Sequence, residues 1–190
     1  DLYRTVEAAV KGGVSMVQLR EKESSTREFV ERAIRLKEVL TPYGVPLIIN
    51  DRVDVALAAN ADGVHVGQSD MPYEMVKRLL PEGKIIGISV ESPEQVLEAN
   101  NYDLDYVAAS PVFSTTTKTN TIVEWGLDGL RWIRSVSRHP LVAIGGIHSN
   151  NVASICKAGA DSVAVISAIV SADDPERAAR ELLEKSGEPH

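Results

Sequence analysis

Residues that could do chemistry recur along this chain at one kind of place, the close of a short apolar run. Gln18, Arg20 and Lys22 stand in QLREK, Asn50, Asp51 and Arg52 close PLIINDR, Gln68 and Asp70 follow GVHV, and Ser89 lies near the end of IIGISV. Further on, SPVFSTTTKTN (110–120) carries Thr115, Thr117 and Lys118, LVAIGG ends in Gly145 and Gly146, and SVAVIS ends in Ile166 and Ser167. Three β-branched hydroxyl residues and a lysine are poor turn chemistry, which Gly, Asn, Asp or Pro supply better. They suit an anion instead. Charged and amide groups at the ends of apolar strands are costly without partners, so seven such clusters point to ligands.

Each residue type suggests its own ligand. Asp51 and Asp70 close neighbouring runs. If those runs are adjacent strands, about 4.8 Å apart, two carboxylates could share one cation. Mg²⁺ accepts one or two carboxylates completed by waters and phosphate oxygens. No His or Cys grouping supports zinc: His65 points from a strand, His139 precedes Pro140, and His148 opens a turn, so all three read as structural or solvated. Glycines 145 and 146 allow backbone amides to approach an anion, and a following helix start adds a favourable dipole. Arg20, Lys22 and Lys118 call for anionic groups, one of them a metal-bound diphosphate. Plainer readings stand beside these. Asp51 and Asp70 could each cap the helix that follows, the glycines could form an ordinary turn, and Lys22 could be surface solvation.

The elements that must position these residues follow from periodicity. Seven apolar runs, MVQLR, PLIIN, GVHV, IIGISV, YVAAS, LVAIGG and SVAVIS, read as strands; most are continuous rather than alternating, as strands covered on both sides are. Amphipathic helical stretches separate them. REFVERAIRLKEVL sets Phe29, Ile34, Leu36 and Leu40 among charges, and Ser92-Pro93-Glu94 and Asp174-Pro175-Glu176 carry helix-start signals. Alternation implies a parallel sheet. The helical stretches number eight against seven strands, because LYRTVEAAVKGG (2–13) precedes the first run. The arithmetic therefore predicts an α/β fold, a (β/α)₈ TIM barrel with its first strand upstream of Asp1 and absent from this chain. A barrel reacts at the carboxyl ends of its strands, where the clusters lie. The rival doubly wound sheet lacks a Gly-x-Gly-x-x-Gly after any strand.

Composition narrows the class. The 190 residues, 44% hydrophobic and 25% charged, suit one globular domain over 1–190. A net charge of −7, from 27 acidic and 20 basic residues, opposes a nucleic-acid partner. The single cysteine, Cys156, falls on the apolar face of a helical stretch and reads as packing; the cytoplasm is expected. No run is long enough to span a membrane.

QLREK, PLIINDRVDVALA, ADGVHVGQSDMP, IIGISV, SPVFSTTTK, VAIGGI and AVISAI together resemble thiamine-phosphate synthase, in order, over residues 12–182. The resemblance implies a transferase joining 4-amino-2-methyl-5-hydroxymethylpyrimidine diphosphate to 4-methyl-5-(2-phosphooxyethyl)thiazole, giving thiamine monophosphate and pyrophosphate. It implies that Gln18, Arg20, Lys22, Asn50, Ser89 and Lys118 hold the pyrimidine diphosphate, with Lys118, Arg20 and Ser89 acting in catalysis. Thr115, Thr117, Gly146, Ile166 and Ser167 would hold the thiazole phosphate, and Asp51 and Asp70 would bind Mg²⁺. The partners are then two small phosphorylated substrates. The oligomeric state is left open, a homodimer being compatible. Two positions depart from the family's usual pattern: Ser162 where glycine is usual, and Trp125 before the Gly-Leu pair. A thiazole tautomerase on the same fold, or a non-catalytic ligand-binding relative, are the alternatives; the first would have no use for Asp51, Asp70 and the full QLREK.

Overall fold

The computed structural model describes residues 1–114 and 124–187. The seven apolar runs form seven parallel strands: β1 (Val17–Leu19), β2 (Leu47–Asn50), β3 (Gly63–Val66), β4 (Ile85–Val90), β5 (Tyr106–Ala109), β6 (Leu141–Ile144) and β7 (Ser162–Ala164). They lie side by side in chain order, β1 through β7. That order is singly wound and excludes the doubly wound alternative, whose strand order reverses. Among the described residues β1 pairs with β2 alone and β7 with β6 alone.

The helices are α1 (Leu2–Lys11), α2 (Thr26–Leu40), α3 (Val53–Ala58), α4 (Tyr73–Leu79), α5 (Pro93–Ala99), α6 (Gly126–Val136), α7 (Val152–Lys157), α8 (Ser167–Val170) and α9 (Pro175–Ser186). Ser92 and Asp174 cap α5 and α9 as their sequences predict, accepting from the backbone N–H groups of Gln95 and Arg177. The helix α2 starts on a capping box between Ser25 and Glu28. Its buried face is Phe29, Ala33, Leu36 and Leu40, while Ile34 is 42% exposed. The 3.6-residue period puts position 33, not 34, in line with 29, 36 and 40; bulk alone misplaced Ile34. The helix α8 is an addition to the expected eight.

Two cores result. The outer faces of the strands (Leu47, Ile49, Val64, Val66, Ile86, Val107, Leu141 and Ala143 among them) pack under the helices with Phe29, Leu36, Val96, Leu130 and Ile155. Each such large side chain stabilises by roughly 1.5–3 kcal/mol. The inner face follows from register: Gln18 pairs with Ile48, Asn50 with His65, His65 with Gly87, Gly87 with Tyr106, and Ser89 with Ala108. Since paired residues share a face, these line the inside of the curled sheet. Its carboxyl rim therefore presents Asn50 and Ser89 side by side with the β1 and β3 loops.

The opposite rim is held by a repeated clasp. Asp62, Asp105 and Asp161, each preceding an odd-numbered strand, donate their N–H to the carbonyls of Leu47, Ile86 and Leu141 at distances of 2.8, 3.0 and 2.8 Å. Those residues belong to the neighbouring even-numbered strands. Ile86 and Leu141 return N–H bonds to the carboxylates of Asp105 and Asp161, and the Leu47 N–H reaches Asp62 Oδ2 at 2.8 Å. Two clasps carry a cation, Lys37 on Asp62 and Arg134 on Asp161. Stability is thus built into the amino rim and the carboxyl rim is left for ligands.

Candidate active site

The β1–α2 loop is fixed at both ends. Arg32 of α2 donates to Glu21 Oε1 at 2.6 Å, and the Ser25 capping box holds the helix start. Arg20 and Lys22 flank Glu21 and are exposed. Lys22 Nζ reaches across to Asp51 Oδ2 at 2.5 Å. Gln18 lies on the inner face of β1, exposed, and Asn50 is buried at the end of β2. Arg52 turns away, donating to the Asp54 carboxylate and to Thr26.

Neither candidate carboxylate is a helix cap. The residue before α3 is Arg52, the one before α4 is Pro72, and neither helix has a side-chain cap. Asp51 has φ 63°, and Arg52 N–H donates to Asn50 O at 2.7 Å, so Asp51 is the centre of a tight γ-turn of the rare left-handed kind. Its own N–H donates to His65 O on β3. Asp70 closes the β3 loop, its Oδ2 accepting from Gly67 N–H at 2.8 Å. Gln68 ties that loop to β4 through Ser89 O at 2.7 Å.

The two carboxylates interact directly. Burial works to raise Asp51, but the hydrogen bonds from Lys22 and Asp70 and the charge of Arg20 outweigh it and leave its carboxyl below the ordinary value. Asp70 lies above, through burial first and then the hydrogen bond and repulsion of Asp51. A proton entering the pair therefore goes to Asp70, and Asp51 stays ionised against Lys22. Among the described residues no three His, Cys, Asp or Glu side chains converge. Two oxygen donors that repel each other fit a hard divalent cation finished by waters and ligand oxygens, and do not fit zinc.

At the far side of the rim, Gly145 and Gly146 have φ 105° and 65°, a region only glycine enters freely. A Cβ on Gly146 would come within 2.8 Å of Phe113 Cβ and 3.0 Å of Ser114 O. The glycine is thus needed for packing of the 111–114 segment, whatever binds beyond it. Gly146 lines a cleft of about 510 Å³ with Phe113, Ser114, Glu124, His148 and Asn151. Ser114 donates to Glu124, and Asn151 donates to Gly146 O at 2.8 Å. His148, expected to be structural or solvated, faces this cleft. Ile166 and Ser167 are exposed where β7 enters α8. Thr115, Thr117 and Lys118 lie outside the described residues.

The other marked residues have plain places. His139 is buried, its ring on Ala99 O, and Cys156 packs against the outer core. Trp125 donates from Nε1 to Val90 O and stacks on Trp132, tying the start of α6 to β4. Ser162 is exposed on the inner face of β7. His65 is the residue that sequence reasoning undervalued. It is buried beneath Ser89 and bonded to it, and the one sequence signal was its inward phase, shared with Asn50.

Residues 1–169 match the model of the thiamine monophosphate synthase family. A thiamine-phosphate synthase of Albidiferax ferrireducens is 54% identical over 181 residues, spanning 95% of this chain and 83% of that protein. One from Vibrio parahaemolyticus is 50% identical over 182 residues, spanning 96% and 89%. The solved thiamine phosphate pyrophosphorylase from Pyrococcus furiosus superposes with a TM-score of 0.90 at 41% identity, covering 98% of this chain and 89% of that one. No helix among the described residues is long and apolar enough to cross a membrane.

Proposed function

The chain belongs to the thiamine monophosphate synthase family, and from that premise we propose that it joins 4-amino-2-methyl-5-hydroxymethylpyrimidine diphosphate to 4-methyl-5-(2-phosphooxyethyl)thiazole. The products are thiamine monophosphate and pyrophosphate. It is an enzyme, and its work is transfer to nitrogen. For the fold we propose the closed eight-stranded form, with an eighth strand between β7 and β1, and for the compartment the cytoplasm.

The observation that carries the reading is the cluster of Lys22, Asp51 and Asp70 at the ends of β1, β2 and β3. An exposed cation already paired to a carboxylate, with a second carboxylate beside it, can exchange partners when a diphosphate and its metal arrive. Asp51 and Asp70 would hold Mg²⁺, whose chemistry is to neutralise the diphosphate as a leaving group. Gln18, Arg20, Lys22, Asn50 and Ser89 border the same stretch of rim and would grip the pyrimidine diphosphate, with Lys118 completing the set. Thr115, Thr117, Gly146, Ile166 and Ser167 would take the thiazole phosphate on the far side.

The reaction then needs positioning more than covalent help. The carbon–oxygen bond to the diphosphate breaks with its electron pair leaving on oxygen, while the pyrimidine's amino group feeds electrons toward the methylene carbon. The thiazole nitrogen closes on that carbon and becomes the cationic nitrogen of the product. No proton changes hands in this exchange, so no protein base is required. Arg20, Lys118 and the Ser89 hydroxyl stabilise charge gathering on the leaving oxygens, while Lys22 grips the bound diphosphate.

The test is pyrophosphate release with both substrates and Mg²⁺, run beside thermal-shift titration of each substrate alone. Release dependent on both substrates supports the reading. Binding of both without release would make the chain a binding module, and isomerisation of the thiazole without the diphosphate would make it a tautomerase.

A further inference from the structure

Inside the curled sheet, directly below Ser89, lies a buried polar chain that the proposed chemistry does not use. His65 is 3% exposed. Its Nε2 is 2.7 Å from Ser89 Oγ and its Nδ1 is 2.9 Å from Tyr106 Oη. The two rings stack, centroids 5.5 Å apart at 19°. The space for this arrangement is provided by Gly87, the inner-face neighbour of both: a Cβ there would fall 2.1 Å from Tyr106 Cζ. Three strands thus contribute one residue each, and the fourth position is emptied to let them meet.

The direction of the hydrogen bonds follows from satisfying every buried donor. Among the described residues, His65 is the one hydrogen-bonding partner of the Tyr106 hydroxyl. Burial, helped by Asp105, pushes that phenol's pKa up, so it keeps its proton. If Nδ1 carried the imidazole proton, the Tyr106 O–H would be buried without an acceptor, a costly arrangement. The phenol therefore donates to Nδ1, Nε2 carries the ring proton, and Nε2–H donates to Ser89 Oγ. The serine oxygen accepts from below, and its own hydrogen is turned toward the rim.

We propose that Tyr106 and His65 are positioning residues that fix the Ser89 hydroxyl as a one-way donor to the oxygen of the bound diphosphate substrate. The proposal rests on the assignment of Ser89 to that substrate. A serine free to rotate would spend part of its time as an acceptor facing an anion. The relay removes that orientation before substrate arrives, which is preorganisation of the kind that lowers barriers.

The tests are two and independent. Nitrogen-15 NMR of the histidine side chains, with His65 assigned through His65→Gln, reads the tautomer in the substrate-free protein. The expected result is an unprotonated Nδ1 and a protonated Nε2, with a mixture of tautomers in Tyr106→Phe; a protonated Nδ1 in the wild type overturns the proposal. Steady-state pyrophosphate release then compares wild type, Tyr106→Phe, Ser89→Ala and the double variant. Tyr106→Phe should lower kcat by about 10-fold, the scale of one weakened hydrogen bond, with the KM for the thiazole phosphate unchanged. In the Ser89→Ala background the same substitution should have no further effect on kcat. Effects that multiply in the double variant would mean that Tyr106 acts through packing alone, and the relay would fall. A wild type without turnover would overturn the substrate reading instead. Failure of the relay looks different, since the wild type then turns over normally.

Discussion

Lys22 Nζ stands 2.5 Å from Asp51 Oδ2, a bond between residues 29 apart that bridges the β1 loop to the end of β2. Lys22 is about half exposed, so the pair contributes little stability, ~0–1 kcal/mol for exposed pairs. Its consequence is competition. In the proposed reaction the ammonium sits on the carboxylate assigned to the metal, and it would turn to the diphosphate when one binds.

Lys22→Ala should therefore act in opposite directions on two ligands. Mg²⁺ alone should bind two- to fivefold more tightly, roughly the range of an exposed ion pair released. The pyrimidine diphosphate should bind about 10-fold more weakly, having lost a charge-assisted contact. Calorimetric titration of each ligand separately checks both. Parallel weakening of the two would show that Lys22 supports the metal site and does not compete with it.

Asp51 is held at φ 63° in its γ-turn, a conformation that costs a non-glycine residue on the order of 1–3 kcal/mol. Aspartate tolerates it better than most, and glycine better still, less about 0.4–1 kcal/mol of unfolded-state entropy. The substitution also removes the repulsion between Asp51 and Asp70. Asp51→Gly should accordingly raise Tm by about 1–3 °C while abolishing Mg²⁺-dependent pyrophosphate release. Calorimetry of the metal-free protein gives the first and the release assay the second. A fall in Tm would mean that the backbone there is relaxed and the Lys22 contact dominates.

The sheet was legible in the sequence because strands buried on both faces read as unbroken apolar runs, and runs alternating with amphipathic stretches leave one simple order. The rim residues were legible for the same reason: Asn50, Asp51, Asp70 and Ser89 are polar interruptions where such runs stop. What was hidden is what depends on distant partners. His65 meets residues 24 and 41 positions away, and nothing in GVHV announces them. The clasp of Asp62 on Leu47 spans 15 positions; locally it reads as an ordinary turn aspartate. Four residues of α8 carry too little period to register, and the phase of α2 was lost because Ile34 outweighs Ala33 by bulk while the helix sorts by angle.

The amino-rim clasps predict an acid-labile step. Burial works to raise Asp62, yet the Lys37 ammonium and the Leu47 N–H hold its carboxyl below the ordinary value. A native pKa below the unfolded one means that the unfolded chain takes up the proton first. The contribution is complete above the unfolded value near pH 4 and is lost as pH falls through the native pKa. Asp62→Ala should lose it at every pH and strand the buried Leu47 N–H, costing about 1–3 kcal/mol. Urea unfolding at pH 7 and pH 3 measures this. The difference between wild type and variant should be larger at pH 7, and a difference that stays constant or grows on acidification would assign the clasp no electrostatic part.

Lys118, known here from sequence alone, supplies the sharpest test of the proposed chemistry. Charge gathers on the diphosphate oxygens only as the carbon–oxygen bond lengthens, so a lysine assigned to those oxygens does more in the transition state than before it. Losing one preorganised electrostatic contact costs on the order of 100-fold in kcat. Lys118→Ala should therefore lower kcat by about that factor with little change in either KM, since an interaction made mainly in the transition state shows in turnover. Arginine would return the charge in a wider, planar fork, so Lys118→Arg should recover part of the rate. Lys22→Ala offers the internal contrast: a ground-state contact should show in the diphosphate KM with kcat nearly intact. Steady-state release at saturating Mg²⁺ compares the three variants directly. If Lys118→Ala raises KM and spares kcat as Lys22→Ala does, then Lys118 grips the substrate without assisting its departure, and the stabilising charge must come from Arg20 and the metal.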